Sequence, residues 1–240
     1  MHPVTDGAPK ELLPAGGKPL AAHALEEAAL AGSSKAVVII RKGKENMIEE
    51  LRRHTPNGLE LVFEYQDRPL GECDAVALAG PHTRGEPFGV FYPDNVPARP
   101  GALLHIFRTA FEAGLNTVAL VEVDPELALG TADSGRVDID RSDDGGYRIT
   151  RFLQKGPGYF KQRFPNEMRT CGIYTAFPDY LEYIEKARTR LDPGHELTDG
   201  VVRRLMVEDG VEFAGVPLAM KVYDAGNPAG YKLCLQELGP

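Results

Sequence analysis

Two aspartates in this chain follow short apolar runs and precede turn-forming residues: Asp94 in Tyr92-Pro93-Asp94-Asn95 and Asp224 in Tyr223-Asp224-Ala225-Gly226-Asn227. In open α/β sheets, ligands bind beyond the carboxyl ends of the strands. Two carboxylates reaching one place from separate strands can hold Mg²⁺ while leaving its other positions to phosphate oxygens. Taken singly, each aspartate reads first as a turn residue; together with nearby lysines the pair points to a metal. Lys10 lies in Pro9-Lys10-Glu11-Leu12-Leu13-Pro14. Each proline there fixes its own φ and pushes its predecessor towards extended geometry. The ammonium can therefore be held in one place, which suits a phosphate, although a proline-rich leader with solvated lysines fits the same residues. Lys155, in Phe152-Leu153-Gln154-Lys155-Gly156, closes a strand pattern. It is either a cation for a second phosphate group or an ordinary exposed strand-end lysine.

Gln66 to Ala75 follows one strand pattern and opens a helix. Gln66 offers a donor and an acceptor, which suits the edge of a pyrimidine. The loop Pro69-Leu70-Gly71 lets backbone groups approach a flat ligand, although many strand-to-helix loops carry Pro and Gly. Glu196-Leu197-Thr198-Asp199 starts another helix pattern, and its Thr and Asp read as helix caps.

The elements that must position these residues alternate along the first half of the chain. Leu20 to Ala31 is a helix stopped by Gly32. Ala36 to Ile40 is a continuous β-branched run, the pattern of a strand buried on both faces. A helix over Lys44 to Arg53 turns Ile48 and Leu51 inwards. Strands over Leu59–Tyr65, Phe88–Tyr92 and Thr117–Val123 alternate with helices over Cys73–Ala79 and Leu103–Ala113, which predicts parallel βαβ units. After residue 124 the character changes. Val137–Asp140 and Tyr147–Leu153 flank Asp143-Asp144-Gly145-Gly146, a hairpin signature. Cys171–Ala176, Val211–Ala214 and Met220–Tyr223 read as strands, and Pro178–Ala187, Leu197–Val207 and Ala229–Glu237 as helices. No repeat, low-complexity tract or linker divides the chain.

Composition narrows the function. The 240 residues, 42% of them hydrophobic, suffice for one large α/β domain. A net charge of -8 and a pI near 5.3 argue against a nucleic-acid surface. Cys73, Cys171 and Cys234 lie far apart, with neither zinc-type spacing nor an even disulfide set, so a reducing compartment is expected. No signal-like leader is evident, and no apolar run approaches the roughly 20 residues that span a bilayer. The expectation is a cytoplasmic protein with no membrane partner. No Gly-x-Gly-x-x-Gly follows a strand, which weighs against a generic dinucleotide-binding protein.

With these motifs on the page, the chain resembles the sugar-nucleotide pyrophosphorylases, the nucleotidyltransferases that join a nucleoside triphosphate to a sugar 1-phosphate. Within them it is most similar to the bacterial glucose-1-phosphate uridylyltransferases. The likeness rests on six motifs in order: Ala8 to Pro19, Pro69-Leu70-Gly71 with Ala75, Pro93-Asp94-Asn95, Gln154-Lys155, Leu197-Thr198-Asp199 and Tyr223-Asp224-Ala225-Gly226. It covers essentially the whole chain. It implies an α/β fold with a Rossmann-like, mostly parallel sheet flanked by helices and an inserted β segment on the sugar side. Residues 1–124 would be the nucleotide half and 125–240 the sugar-phosphate half of a single domain. It implies that Asp94 and Asp224 hold Mg²⁺, Lys10 binds the nucleotide phosphates, and Lys155 binds the sugar phosphate. Gln66, Pro69, Leu70 and Gly71 would meet the base, while Gly135, Gln154 and Gly172 would line the sugar. UTP and glucose 1-phosphate are the implied substrates, and a homo-oligomer the implied assembly.

The chain also departs from that family's pattern. The leading strand and Gly-x-Gly-Thr-Arg loop are expected ahead of residue 1, so the chain is expected to start at an internal Met of a longer reading frame. The other readings are a shortened chain or a homologue that binds nucleotide or sugar without turnover. Glu72-Cys73-Asp74 replaces a small apolar run, and its two acids are unhelpful beside a triphosphate unless they point away. Gln154 stands for a glutamate and Gly156 for a proline, and Gly194-His195 displaces a glutamate before Leu197. These changes keep a non-glucose sugar open.

Overall fold

The computed structural model describes residues 9–142, 145–192 and 194–240. Prolines and glycines shape its start. Pro9 leads into a 3₁₀ turn over Lys10–Leu12. Pro14–Ala15 (β1) then pairs antiparallel with Lys18–Pro19 (β2) across Gly16 and Gly17. Both glycines have positive φ, the conformation that a tight two-residue hairpin turn demands. Leu20–Leu30 (α1) follows and stops before Gly32, as its sequence predicts.

Lys35–Arg41 (β3) and Glu60–Gln66 (β4) pair in parallel, joined through Asn46–Arg53 (α2). This is the predicted βαβ unit, and it forms a two-stranded sheet of its own. A second sheet has six strands. They are Phe88–Phe91 (β5), Asn116–Glu122 (β7), Val137–Arg141 (β8), Tyr147–Phe152 (β9), Met168–Ala176 (β10) and Phe213–Pro217 (β11), in the order β5-β10-β7-β11-β9-β8. Between β5 and β7 in sequence come Asn95–Pro97 (β6) and Ala102–Ala113 (α4). β5 and β7 run parallel, as expected of a βαβ unit, but β10 lies between them and antiparallel to both. Its residues are buried from Arg169 to Ala176, a burial that only an interior strand has. β11 is parallel to β7, and the predicted hairpin β8–β9 closes the far edge. Its expected turn residues Asp143 and Asp144 lie outside the described residues.

Helices flank the sheets: Glu72–Thr83 (α3), α4, the short Pro125–Ala128 (α5), Asp179–Arg190 (α6), Asp199–Glu208 (α7) and Pro228–Leu238 (α8). The largest core cluster joins Val118, Leu120 and Tyr174 of the six-stranded sheet to Tyr180, Ile184, Val202 and Met206 of α6 and α7. A third small sheet pairs β6 with Val222–Asp224 (β12). Among the described residues, no helix is long and apolar enough to cross a membrane.

One expectation about β3 is overturned. Its apolar run predicts burial on both faces, yet only Ile40 is buried and the rest of the run is half-buried. Among the described residues β3 is paired on the β4 side alone, and it lines a cleft that β5 also lines. Water therefore reaches residues that a fully flanked strand would hide.

A buried carboxylate ties α1 to α4. Gly101, the residue ahead of α4, has φ of 109° and no side chain to cap the helix. Glu27 of α1, 2% exposed, supplies the cap, accepting from the Gly101 and Leu103 amides at 2.8 Å each. Burial pushes its pKa above the ordinary glutamate value, and those amide bonds pull it back in part. Glu27→Ala leaves buried donors without an acceptor, which costs about 1–3 kcal/mol. It is expected to lower the urea midpoint with an unchanged slope, and an unaltered midpoint would show that the cap contributes nothing.

Candidate functional site

The β6–β12 pairing puts Asp224 opposite Asn95, the neighbour of Asp94. The Ala225 amide continues the ladder onto the Asp94 carbonyl at 2.7 Å. Both carboxylates then turn to one side. A Cβ placed on Gly226 would lie 2.7 Å from Asp94 Oδ2 and 3.0 Å from Asp224 Oδ1. Two oxygens from separate strands thus face a single point, which glycine alone leaves clear. Asp94 Oδ1 also accepts from Asn95 Nδ2 at 2.9 Å, and Asp224 accepts from the Ala132 amide at 2.9 Å and the Gly226 amide at 3.2 Å. Hard carboxylate oxygens with room beside them suit Mg²⁺ completed by water and phosphate oxygens. Among the described residues, no group of three or more His, Cys, Asp or Glu side chains could enclose a metal. The pair therefore fits an open metal position rather than a closed structural one.

Lys10 belongs to the same place. Its Nζ lies 2.5 Å from Asp94 Oδ2. Burial works against its charge, but the field and hydrogen bond of Asp94, helped by Glu11 and Asp224, outweigh burial and raise its pKa. The 3₁₀ turn that carries Lys10 is anchored in turn, since Lys44 donates to both oxygens of Glu11 at 3.0 and 3.1 Å. The Lys10 ammonium is thus paired with Asp94, on a turn that the Glu11–Lys44 ion pair holds.

The opposite wall is the loop 131–136, held by a charge network. Arg136 donates to Asp133 at 2.5 Å and to the fully buried Glu167 at 2.9 Å, and lies over the Phe160 ring at 4.0 Å. Arg163 also donates to Glu167, at 2.7 Å. This network fixes the Ala132 amide that holds Asp224. It also fixes Gly135, which has φ of 72° and whose carbonyl accepts from the Thr170 amide at 2.7 Å. A side chain on Gly135 would collide with the Thr170 carbonyl, and one on Gly172 with the Tyr92 ring. Both glycines line the cleft, as do Gln154 and Lys155, which are exposed. The proline expected at position 156 has no room, because a Cβ there would strike the Asp133 carboxylate.

The cleft that joins these residues has a volume of about 1530 Å³ and also takes in Lys10, Gln66, Asp94 and Asp224. Pro69, Leu70 and Gly71 do not line it. Gly71 instead sits with φ of 110° against the Leu197 backbone, and Leu70 is exposed while its carbonyl accepts from the Leu197 amide at 2.7 Å. Gln66 spends its amide donors inside its own loop, on the Gly71 carbonyl at 3.0 Å and Asp74 at 2.9 Å. The two acids of α3 are taken up structurally. Asp74 pairs with Arg188 at 2.6 Å, and Glu72 accepts from the Asp199 amide at 3.2 Å. Thr198 occupies the cap position of α7 but makes no side-chain cap. The expected Thr and Asp caps are therefore corrected: Glu72 satisfies the helix start from another element, and Asp199 turns to Arg203 at 3.1 Å.

Sequence reasoning passed over Arg136, Glu167, Arg169 and Arg203. For Arg169 and Arg203 the available signal was a charged residue inside the β10 and α7 patterns, since such residues are rarely buried without a partner or a task; Arg136 and Glu167 stand outside any element and carried no such signal.

These features define a class. Residues 1–231 match the nucleotidyl transferase family, and the chain belongs to it. Among relatives, the low-salt glycan biosynthesis nucleotidyltransferase of Haloferax volcanii is 28% identical over 214 residues, covering 88% of this chain and 54% of that protein. The UTP–glucose-1-phosphate uridylyltransferase of Bacillus subtilis is 25% identical, covering 95% of this chain and 83% of that protein. A mannose-1-phosphate guanylyltransferase catalytic subunit beta of Drosophila pseudoobscura is 28% identical, covering 80% of this chain and 48% of that protein. The chain thus spans about half the length of the Haloferax and Drosophila relatives. A solved UDP-glucose pyrophosphorylase complexed with UDP-glucose superimposes with a TM-score of 0.76 at 22% identity, covering 98% of this chain and 91% of that one, which speaks for the α/β fold.

The Glu72 carboxyl gives the site a pH signature. Burial first, then the charge of Asp199, push its pKa above the ordinary glutamate range. A group with a raised folded-state pKa adds stability below its unfolded pKa and loses it as the pH rises through the folded value. The Glu72 share of stability, measured by the urea midpoint, is therefore expected to fall from acidic towards neutral pH and to be absent in Glu72→Gln, while Asp124 and Asp209, whose pKa values are lowered, act with the opposite sign in both proteins. Glu27 acts with the same sign, so the difference in slope between the two proteins is the quantity to read. Equal slopes would remove the assignment.

Proposed function

We propose that this protein transfers a nucleotidyl group from an NTP to a sugar 1-phosphate with release of pyrophosphate. UTP and glucose 1-phosphate are the first substrates to try, because the Bacillus relative and the motif likeness both lean that way; the guanylyltransferase relative makes GTP and mannose 1-phosphate the next pair. The observation that carries the reading is the convergence of Asp94 and Asp224 on one point beside the Lys10 ammonium.

The chemistry asks for positioning and charge neutralisation. A phosphate oxygen of the sugar 1-phosphate attacks the α-phosphorus in line. The bond from the α-phosphorus to the bridging oxygen breaks, and pyrophosphate leaves with that electron pair. Asp94 and Asp224 would hold Mg²⁺, which supplies charge neutralisation for the phosphates when bound. Lys10 moves from Asp94 to the nucleotide phosphates, and Lys155, exposed at the cleft rim, takes the sugar phosphate. The free Oε1 of Gln66 is left to receive a donor from the base. Gly135 and Gly172 give a sugar close access to backbone, and Gln154 offers it an amide. The free, buried cysteines accord with a reducing cytoplasm.

The test is pyrophosphate release with each NTP and each sugar 1-phosphate in the presence of Mg²⁺. Asp94→Asn and Asp224→Asn are each expected to lower turnover by at least about a hundredfold, with an unchanged circular dichroism spectrum. Near-normal turnover in both would remove the carboxylate pair from the reaction. Nucleotide binding without turnover on any pair would favour a binding homologue.

A further inference from the structure

Arg169 is the second residue of β10 and is 3% exposed. Its Nη1 reaches the Ser134 carbonyl at 3.3 Å, while Nε and Nη2 are buried with no hydrogen-bond partner among the described residues. Guanidinium carries five N–H donors and no acceptor, and a charge buried without partners is heavily penalised. The nearby carboxylates do not relieve it. Asp94 is engaged by Lys10 and Asn95, and Asp224 by the Ala132 and Gly226 amides. Burial accordingly pulls its pKa below the ordinary arginine value, against the fields of Cys171, Asp224 and Asp94. Arg203 is equally buried and its Nε and Nη2 likewise lack a hydrogen-bond partner among the described residues, but it differs in its ion pair with Asp199 at 3.1 Å and in lying over the Tyr174 ring at 4.2 Å.

Arg169 also lines the cleft, beside Ser134, Gly135 and the carboxylate pair. A guanidinium fork with two free donor groups matches the oxygens of a phosphate, which a lysine can meet only as a point charge. We propose that Arg169 is a phosphate-binding residue of this cleft, its Nε and Nη2 donating to oxygens of a substrate phosphate group. The proposal rests on the nucleotidyl-transfer reading and deepens it. None of the motifs that carry the family likeness includes residue 169.

The experiment titrates inorganic phosphate, UTP and glucose 1-phosphate separately into the wild type, R169M and R169K, by calorimetry and by thermal midpoint. R169M removes an unpaired buried charge while keeping an apolar chain of similar reach. Its ligand-free midpoint is expected to equal or exceed that of the wild type. Its affinity for inorganic phosphate is expected to fall roughly ten- to a hundredfold. R169K keeps the charge without the fork and falls between. Whichever of UTP and glucose 1-phosphate loses affinity identifies the phosphate that Arg169 holds. Unchanged phosphate affinity in R169M overturns the proposal, as does a lowered ligand-free midpoint with the phosphate-induced rise intact. Should R169M fail to fold, unchanged phosphate affinity in R169K overturns it instead. Arg169-dependent phosphate binding without pyrophosphate release on any substrate pair would sink the transfer reading alone. Turnover with phosphate affinity unaffected by substitution would sink the Arg169 assignment alone.

Discussion

The antiparallel pairing of β6 with β12 is the constraint from which the site follows. It covers only three residue pairs, yet it brings together aspartates separated by most of the chain. Two carboxylates facing one point repel each other, so such an arrangement persists only if cations and donors offset it. The Lys10 ammonium and the Asn95, Ala132 and Gly226 N–H groups do that here. Asn95 and Gly226 are local to the aspartates they serve, but Lys10 and Ala132 come from 84 and 92 residues away. The carboxylate pair is therefore a property of the assembled fold, not of a local loop.

An acidic protein can still present a cleft suited to anions, because most of the acids near it are already committed. Glu11 is bound by Lys44, Asp74 by Arg188, and Glu72 by the Asp199 amide. Asp133 and Glu167 share Arg136. The aspartate pair faces the cleft together with Lys10, Lys155 and Arg169, and other charged residues, Glu86, Glu196, Lys35, Arg84 and Arg204 among them, line it further out. Local charge rather than net charge governs what a concave site attracts. The worry raised by the Glu72-Cys73-Asp74 run is answered in this way: both acids point into structural contacts.

Much of the fold was legible because hydrophobic period and glycine punctuation are local signals. The helix ending before Gly32, the β8–β9 hairpin and the β3–β4 unit follow from them directly. The insertion of β10 between β5 and β7 was not legible, since strand order is decided by which surfaces need covering, and no local pattern states it. The same division holds in the site. Asp94, Asp224 and Lys10 stand at strand ends and a proline-stiffened turn, so type and position together announced them. Arg136 and Glu167 pair with each other across 31 residues, a contact that sequence neighbours do not state, although each also has a partner within four residues, Asp133 and Arg163. Gly156 was legible only as an oddity; the Asp133 carboxylate beside it explains why a ring cannot stand there.

The two walls of the cleft are fixed by different kinds of force. Loop 131–136 is tied by ion pairs and backbone bonds to β10, itself buried in the six-stranded sheet. The β3–β4 unit shares no backbone ladder with that sheet; α1, whose cluster packs under β3, meets α4 through the Glu27 cap. Directional bonds fix distances, whereas apolar packing fixes volume and tolerates small slides. The bonded wall holds the Ala132 amide that positions Asp224, and with it Gly135 and Arg169. At the β4 end, Gln66 holds the following turn by two hydrogen bonds, to the Gly71 carbonyl and to Asp74. In the proposed transfer the wall held by directional bonds would therefore set the distances to phosphate oxygens, and the packed wall would receive the base.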